Sequence, residues 1–144
     1  MTRIEFRIIS CTELHNEACR LARQAADYGQ QVFILCNNQD EASQLQAQIQ
    51  RNGVFVAPNA DKVRQFDKFR EQLGLGKHAA FADNSSFINL SSLASSLLAR
   101  FNFGFDLVGD SEPQREAGRL RYRYYRDRGY ALSSVERTPM HAPE

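Results

Sequence analysis

The run Val32-Phe-Ile-Leu-Cys36 decides the fold, because it places five apolar residues in a row. Short apolar runs of this kind are typical of strands that are buried on both faces, as in parallel sheets covered by helices on each side. Gly29 marks a helix end before the run, and Asn38 marks a helix start after it. The run therefore predicts an interior strand of an α/β fold.

The segments around this run alternate between strand and helix patterns. Residues 3–9 alternate and predict a strand, residues 12–28 carry an apolar stripe and predict a helix, and Asn38 with Glu41 predicts the cap of a second helix. This β-α-β-α order implies parallel strands joined by right-handed crossovers. We therefore expect three layers, with a mostly parallel central sheet and helices on both faces. The residues predicted to face the core are Ile4, Phe6, Ile8, Leu14, Ala18, Leu21, Ala25, Ala42, Leu45 and Ile49.

The remainder of the chain extends the same pattern to a single domain over residues 1–132. Residues 133–144 are polar, contain two prolines and have no periodicity, so we predict a disordered tail. The predicted inner face of the third helix is Val63, Phe66, Phe69 and Leu73. Further strands are predicted at 54–56, 78–82, 87–90, 105–108 and 130–132, and further helices at 61–73, 93–100 and 111–129.

The composition is that of a globular chain of 144 residues, with 42% hydrophobic and 24% charged residues. The sequence contains no membrane-spanning run and no signal-peptide pattern, so we expect a cytoplasmic protein. Eighteen basic and 17 acidic residues give a net charge of +1, which argues against a general nucleic-acid coat. Three cysteines without a C-x-x-C pair predict free thiols rather than a disulfide framework.

The first strand-to-helix turn excludes the common nucleotide sites. Ser10-Cys-Thr-Glu-Leu14 lacks the glycines and the lysine that cradle phosphate groups. We therefore predict a Rossmann-like fold without a phosphate-binding loop, and no cofactor. No nucleophile elbow or catalytic triad spacing is present, so the chain is predicted not to be an enzyme. A degraded nucleotide-binding enzyme remains an alternative that rests on fold analogy alone.

Histidines and cysteines offer one constellation that could bind a metal. His15, His78 and His141 have no zinc-ligand spacing to one another or to a cysteine. Cys11 and Cys36 lie at the C-terminal ends of strands that are expected to be neighbours, and His15 lies one turn into the intervening helix, so these three could converge. Buried thiols are the commoner outcome at strand ends, and we predict no metal site.

A basic helix over residues 111–129 concentrates the charge. Ser111 with Gln114 predicts a capping box, Pro113 suits a first turn, and Gly129 ends the helix. Six arginines and three acidic residues give this segment a charge of about +3 in a nearly neutral chain. The charge is therefore localised to one element.

Helical periodicity places Arg115, Arg119, Tyr122 and Arg126 on one stripe of this helix. The opposite side, Ala117, Leu120 and Tyr124, is predicted to pack against the sheet. A solvated face is the common interpretation of such a stripe. Arginine without lysine suits bidentate binding of carboxylate or phosphate, and adjacent arginines repel unless they share an anion. The stripe is therefore interpreted as an acceptor for acidic partners.

The C-terminal segment resembles a known family. Phe105-Asp-Leu-Val-Gly-Asp-Ser-Glu112, the pair Gln114-Arg115 with Arg119, and Tyr125-Arg-Asp-Arg-Gly-Tyr130 resemble the chi subunit of bacterial DNA polymerase III. Phe87-Ile-Asn-Leu90 and Glu17-Ala-Cys-Arg-Leu21 agree with a core strand and the first helix of that family. The resemblance covers about residues 1–50 and 84–132, and their order and spacing make it specific.

The resemblance implies a non-catalytic subunit of the clamp loader that takes part in DNA replication. Members of the family pair with the psi subunit and bind the acidic, phenylalanine-ended C-terminal tail of single-stranded DNA-binding protein, so contact with DNA is only indirect and no membrane is involved. Carried over to this sequence, the tail-binding positions are Arg115, Arg119, Tyr122, Arg126 and Val108. The alternative from the residues alone is a direct single-stranded nucleic-acid-binding module that uses the arginine helix.

The sequence departs from the family over residues 51–83. The chain has no tryptophan where members usually have one, and Phe55-Val-Ala-Pro-Asn59 replaces a Phe-Val-Pro-His segment. A predicted helix at 61–73 also replaces what is usually a loop. Since this region contacts psi in the family, the resemblance makes Phe55, Val56 and Pro58 candidates for that interface, and Phe55 could equally belong to the core.

Overall fold

The computed structural model describes residues 2–72 and 85–136 of the chain. These residues form six strands, four helices and three short 3₁₀ segments, and strands alternate with helices except between the fourth and fifth strands. The elements are β1 (Arg3–Ile9), α1 (Leu14–Asp27), β2 (Gln31–Cys36), α2 (Gln39–Ile49), β3 (Val54–Pro58), α3 (Lys62–Gln72), β4 (Ser85–Asn89), β5 (Phe103–Gly109), α4 (Glu112–Asp127) and β6 (Ala131–Glu136).

The six strands form one open sheet in the order β3-β2-β4-β5-β1-β6, and every pairing between them is parallel. This arrangement confirms the predicted α/β fold with a parallel sheet. The order differs from the 3-2-1-4-5-6 order of dinucleotide-binding folds. Here β4 and β5 lie between β2 and β1, so the first crossover spans two strands.

Helices cover both faces of the sheet, as predicted. Helices α1 and α2 pack on one face over β2, where Val32, Ile34 and Cys36 point toward them. Helices α3 and α4 pack on the other face, over an aromatic core that surrounds Phe33 and Phe87. Residues on β2 alternate between these two cores, which explains why its apolar run is continuous. The predicted strand is therefore interior and fully buried.

Local sequence signals define the helix ends. The Asn38 side chain accepts a hydrogen bond from the Glu41 backbone N–H at 2.9 Å, and the Ser111 hydroxyl accepts one from the Gln114 N–H at 3.4 Å. Gly129 follows α4 with a φ of +83°, a conformation that favours glycine. The predicted caps and the end of the basic helix are thus confirmed.

Five predictions from residue 63 onward need correction or lie outside the described residues. Strand β6 continues to Glu136, so the predicted tail boundary at residue 133 is wrong, because backbone pairing with β1 holds these polar residues. Val63 on α3 is 62% exposed rather than inward. Helical structure in 93–100 is limited to the 3₁₀ turn Ser96–Arg100, since the Ser95 hydroxyl caps it. Leu73 and the predicted strand at 78–82 lie outside the described residues.

None of the helices in residues 2–72 and 85–136 has the length and apolar character required to cross a membrane.

Candidate functional site

The floor of the candidate site is built from strands β5, β1 and β6. Parallel pairing aligns Val108 with Ile8, and Asp106 with Phe6, so these four side chains share the face that α4 covers. Side chains two positions apart on a strand point to the same face, so these four residues form two rows that run across the strands. Pairing with β6 extends both rows to the edge of the sheet. The two rows are Val108, Ile8 and Glu136, and Asp106, Phe6 and Ser134.

Helix α4 crosses these rows closely at Gly118. A Cβ atom at Gly118 would lie 2.9 Å from Cγ1 of Val108, which is too close for any other residue without adjustment. Beside this contact the helix and the sheet leave an open groove with a cavity of about 170 Å³. The residues that line the groove are Phe6, Ile8, Val108, Arg115, Gly118, Arg119, Tyr122 and Ser134.

The face of α4 that packs on the sheet is not the predicted one. Gly118, Arg121 and Tyr125 are buried, whereas Leu120 is 56% exposed. Ala117 and Tyr124 are only partly buried, on the margin of the contact. The prediction was wrong because it chose the apolar side of the helix for the core, whereas the buried face contains Arg121, whose guanidinium has a buried partner.

That partner is Asp106 on β5, and both side chains are almost completely buried. Nη2 of Arg121 donates to Oδ1 of Asp106 at 2.8 Å, and Nε donates to Oδ2 at 3.0 Å. Asn89 donates to the same carboxylate at 3.1 Å, and the Ser92 carbonyl accepts from Arg121. These bonds fix α4 to the sheet two residues from Val108, and therefore set the position of the groove wall.

Four of the five predicted tail-binding residues come together at the groove. Arg115, Arg119, Tyr122 and Val108 all line it, and the Tyr122 ring packs against Phe6 with centroids 5.1 Å apart. Arg126 does not line the groove. It continues the same helix flank and is exposed, with a carboxylate of the neighbouring Asp127 at 3.4 Å.

The two groove arginines already contact carboxylates of this chain. Arg115 donates to Glu136 at 2.8 Å and to the Asp110 carbonyl at 3.1 Å. Arg119 donates to Glu112 at 2.7 Å and to Glu116 at 2.9 Å. Hydrogen bonds to these glutamates raise the pKa of both guanidinium groups above the ordinary value. The rim of the groove therefore consists of arginines in exposed ion pairs.

Some groove residues were not identified from the sequence. Ile8 and Phe6 were predicted to share a strand face, but nothing indicated that β1 lies beside both β5 and β6. Ser134, which lines the groove, and Glu136, which contacts Arg115 beside it, were both assigned to a tail. The spacing of Glu116 and Arg119, three residues apart on a helix, was a usable signal for their ion pair.

A second candidate surface lies at the opposite edge of the sheet. Strand β3 pairs with β2 and, among the described residues, with no other strand. Val56 and Pro58 are buried within the chain, while Phe55 is partly exposed and packs edge-on against Phe69 at 5.5 Å. Of the three residues suggested for a psi interface, Phe55 alone has appreciable surface.

Cys11, His15 and Cys36, which the sequence allowed to converge, do not come together. Since β1 and β2 are not neighbours, Cys11 lies exposed beside β5, and Cys36 is buried at the end of β2. His15 contacts Glu41 on α2 at 2.7 Å. Burial raises the pKa of the Cys36 thiol to about 12, aided by the nearby Glu41 charge. No cluster of metal-ligating side chains occurs in the part of the chain that the structure describes.

Comparison with known proteins agrees with the resemblance found in the sequence. Residues 1–133 match the sequence model of a family described as "DNA polymerase III chi subunit, HolC". The chain is also similar to the protein named "DNA polymerase III subunit chi" from Pseudomonas aeruginosa, with 28% identity over 137 residues. That similarity covers 92% of this chain and 94% of the other protein. Among the groove residues, Ser134 alone lies beyond the family match.

Proposed function

The chain belongs to the family of DNA polymerase III chi subunits, and from that premise we propose that it binds the acidic C-terminal tail of single-stranded DNA-binding protein in the groove between α4 and the sheet. The role is that of a non-catalytic accessory subunit of the clamp loader, which acts in the cytoplasm during DNA replication. Contact with DNA is made through its partners.

The observation that carries this proposal is the pairing of an apolar floor with a rim of two arginines. Phe6 and Val108 are each only 3% exposed and form the floor, and Arg115 and Arg119 stand above it on α4. A cavity of roughly 150 Å³ is enough to hold a benzene ring. The groove volume of about 170 Å³ therefore suits one phenylalanine side chain.

A peptide that is rich in aspartate and ends in phenylalanine matches this chemistry. Its terminal ring would displace water from the apolar floor, with Tyr122 as a flat side wall. Its carboxylates, including the free terminal one, would accept charge-assisted hydrogen bonds from Arg115 and Arg119. Because these cations are exposed, the affinity is expected to be modest and to fall as salt is added.

The direct test compares two arginines of the same helix. We expect Arg119→Ala to weaken binding of a fluorescent peptide, rich in Asp and ending in Phe with a free carboxylate, at least several-fold. The loss has two sources, because the change removes a donor and leaves Glu112 and Glu116 without their cation. Arg123→Ala is the matched control, since Arg123 is exposed and does not line the groove.

Equal affinity of the wild type and Arg119→Ala at low salt would contradict the proposal. A decrease of the same size for Arg123→Ala would also contradict it, because only the general charge of the helix would then matter. Melting curves of both variants are needed to show that the fold is retained. No large change is expected, since both side chains are exposed.

The alternative is direct binding of single-stranded nucleic acid by the arginine helix. Glu112, Glu116 and Glu136 already pair with the two groove arginines, so a phosphate backbone gains little there, and it has no apolar group for the floor of the groove. A peptide can bring separate carboxylates and an apolar side chain to the same place. Parallel titrations with single-stranded DNA and with the peptide decide between them, and tight DNA binding without peptide binding would favour the alternative.

We further propose that the β3 edge of the sheet pairs with the psi subunit. The support is a cavity of about 410 Å³ between α2, β3 and α3, where Phe55 lies beside the exposed Lys68. We expect Lys68→Glu to lower co-purification with a tagged psi subunit, while Arg123→Glu, a charge reversal elsewhere, leaves it unchanged. Equal recovery of psi with both variants would exclude this surface.

A further inference from the structure

Glu136 is the last residue of β6, and its place beside the groove follows from the sheet register. Pairing with Ile8 puts the Glu136 side chain on the face that α4 covers, at the open edge of the sheet. There its Oε2 accepts a hydrogen bond from Nη2 of Arg115 at 2.8 Å. The ion pair joins two separate elements of the fold, 21 positions apart in the chain.

Arg119 differs from Arg115 because its carboxylate partners belong to its own helix. Glu112 and Glu116 lie on the same helix as Arg119 and move with it. Glu136 instead approaches from the sheet side, where the groove opens onto Ser134 and the apolar floor. The Glu136 side chain is 57% exposed, so water and a competing anion can both reach the pair.

We infer that Glu136 is a specificity-determining residue of the groove, an internal carboxylate that occupies Arg115 until a carboxylate of the ligand displaces it. This inference rests on the proposed binding of an acidic peptide tail. In the free protein Arg115 is already paired, so a ligand carboxylate exchanges one ion pair for another and gains little at that position. The ligand therefore depends on the apolar floor for most of its affinity.

The exchange of ion pairs predicts the direction in which peptide affinity changes when Glu136 loses its charge. With Gln at position 136 the side chain keeps its shape but loses its charge, so Arg115 offers a full positive charge to the ligand. Exposed ion pairs correspond to a factor of about 1.5 to 5 in an equilibrium constant. We expect Glu136→Gln to tighten binding of the acidic peptide by about that factor, chiefly for peptides that carry carboxylates.

The experiment is a fluorescence anisotropy titration of wild type, Glu136→Gln and Glu71→Gln with the Asp-rich, Phe-ended peptide. Glu71 is an exposed glutamate on α3, beside β3 at the opposite edge of the sheet, and controls for the change in net charge. A peptide with Asn in place of each Asp and an amidated end is titrated in parallel. Tighter binding of the acidic peptide by Glu136→Gln alone, with no change for the neutral one, supports the inference.

Four outcomes would overturn it. Weaker binding by Glu136→Gln would mean that Glu136 orients Arg115 for the ligand rather than competing with it. Unchanged binding, or equal tightening by Glu71→Gln, would refute a local exchange while the proposed function stands. If the wild type does not bind the acidic peptide at all, the proposed function fails, and this inference fails with it.

Discussion

Replacing Asp106 with asparagine tests the link between the core and the groove. Asp106 is 0% exposed and Arg121 is 2% exposed, so the pair is removed from water almost completely. The substitution keeps the shape of the side chain but removes the charge that the Arg121 guanidinium contacts through Nε and Nη2. A buried positive charge without a compensating anion remains, and its other hydrogen-bond partner, the Ser92 carbonyl, is neutral.

The expected cost follows from that burial. Removal of one member of a buried ion pair costs about 3–5 kcal/mol, a large part of a typical stability of about 5–15 kcal/mol. For a domain of about this size, each kcal/mol lowers the melting temperature by about 2–4 °C, so we expect a decrease of about 6–20 °C. Replacement of both residues, Asp106→Leu with Arg121→Met, avoids an unpaired charge and is expected to cost less than the single change.

Urea denaturation followed by circular dichroism gives the free energy of unfolding for the wild type, Asp106→Asn, Arg121→Met and the double apolar variant. A cost below about 1 kcal/mol for Asp106→Asn would refute the argument, since it would match the net value of one ordinary hydrogen bond. So would a double variant that is destabilised by as much as Asp106→Asn. In either case the pair would not be the buried anchor of α4.

Two further predictions concern the groove and the thiols. Gly118→Ala places a methyl group within 2.9 Å of Val108 and narrows the groove, so we expect several-fold weaker binding of the acidic peptide, measured by anisotropy with the exposed Leu120→Ala as control. In a thiol titration at pH 8, one of the three cysteines should react in the folded protein and all three in denaturant. Burial raises the pKa of Cys19 and Cys36, which leaves the exposed Cys11 as the reactive one, and rapid reaction of a second thiol would contradict this.

The elements of this fold could be predicted wherever local signals and burial agree. The apolar run Val32–Cys36 predicts an interior strand, because a strand covered on both faces needs apolar side chains at every position. Asn38 and Ser111 cap their helices through hydrogen bonds that the sequence spacing permits. The strand order could not be predicted in the same way. It depends on which crossover passes over which strands, and no periodic pattern contains that information. Cys11 and Cys36 do not converge for this reason, because β1 and β2 are not neighbours in the sheet.

The face of α4 shows a different limit of pattern reasoning. At 100° per residue, the direction of Arg119 and Tyr122 lies roughly a quarter turn from that of Arg121 and Tyr125. The stripe of arginines is therefore adjacent to the buried face rather than opposite to it. Hydrophobicity alone favoured Leu120 for the core, because a buried arginine is recognised only when its anionic partner on another element is known. Four of the five candidate residues nevertheless lie together at the groove, since their grouping depended on the helical period and on the family resemblance.

Arginines at neighbouring positions of α4 therefore have separate roles, and the groove depends on both. Arg121 holds the helix on Asp106, while Arg115 and Arg119 lie on the flank that this anchoring turns toward β1 and β6. The apolar double variant at 106 and 121 separates the two roles. It can keep the helix packed, but it lacks the bidentate contact that fixes rotation about the helix axis. We therefore expect the double variant to bind the acidic peptide more weakly than the wild type does, even where both proteins are fully folded. Unchanged affinity would show that packing at Gly118 is sufficient to orient the groove.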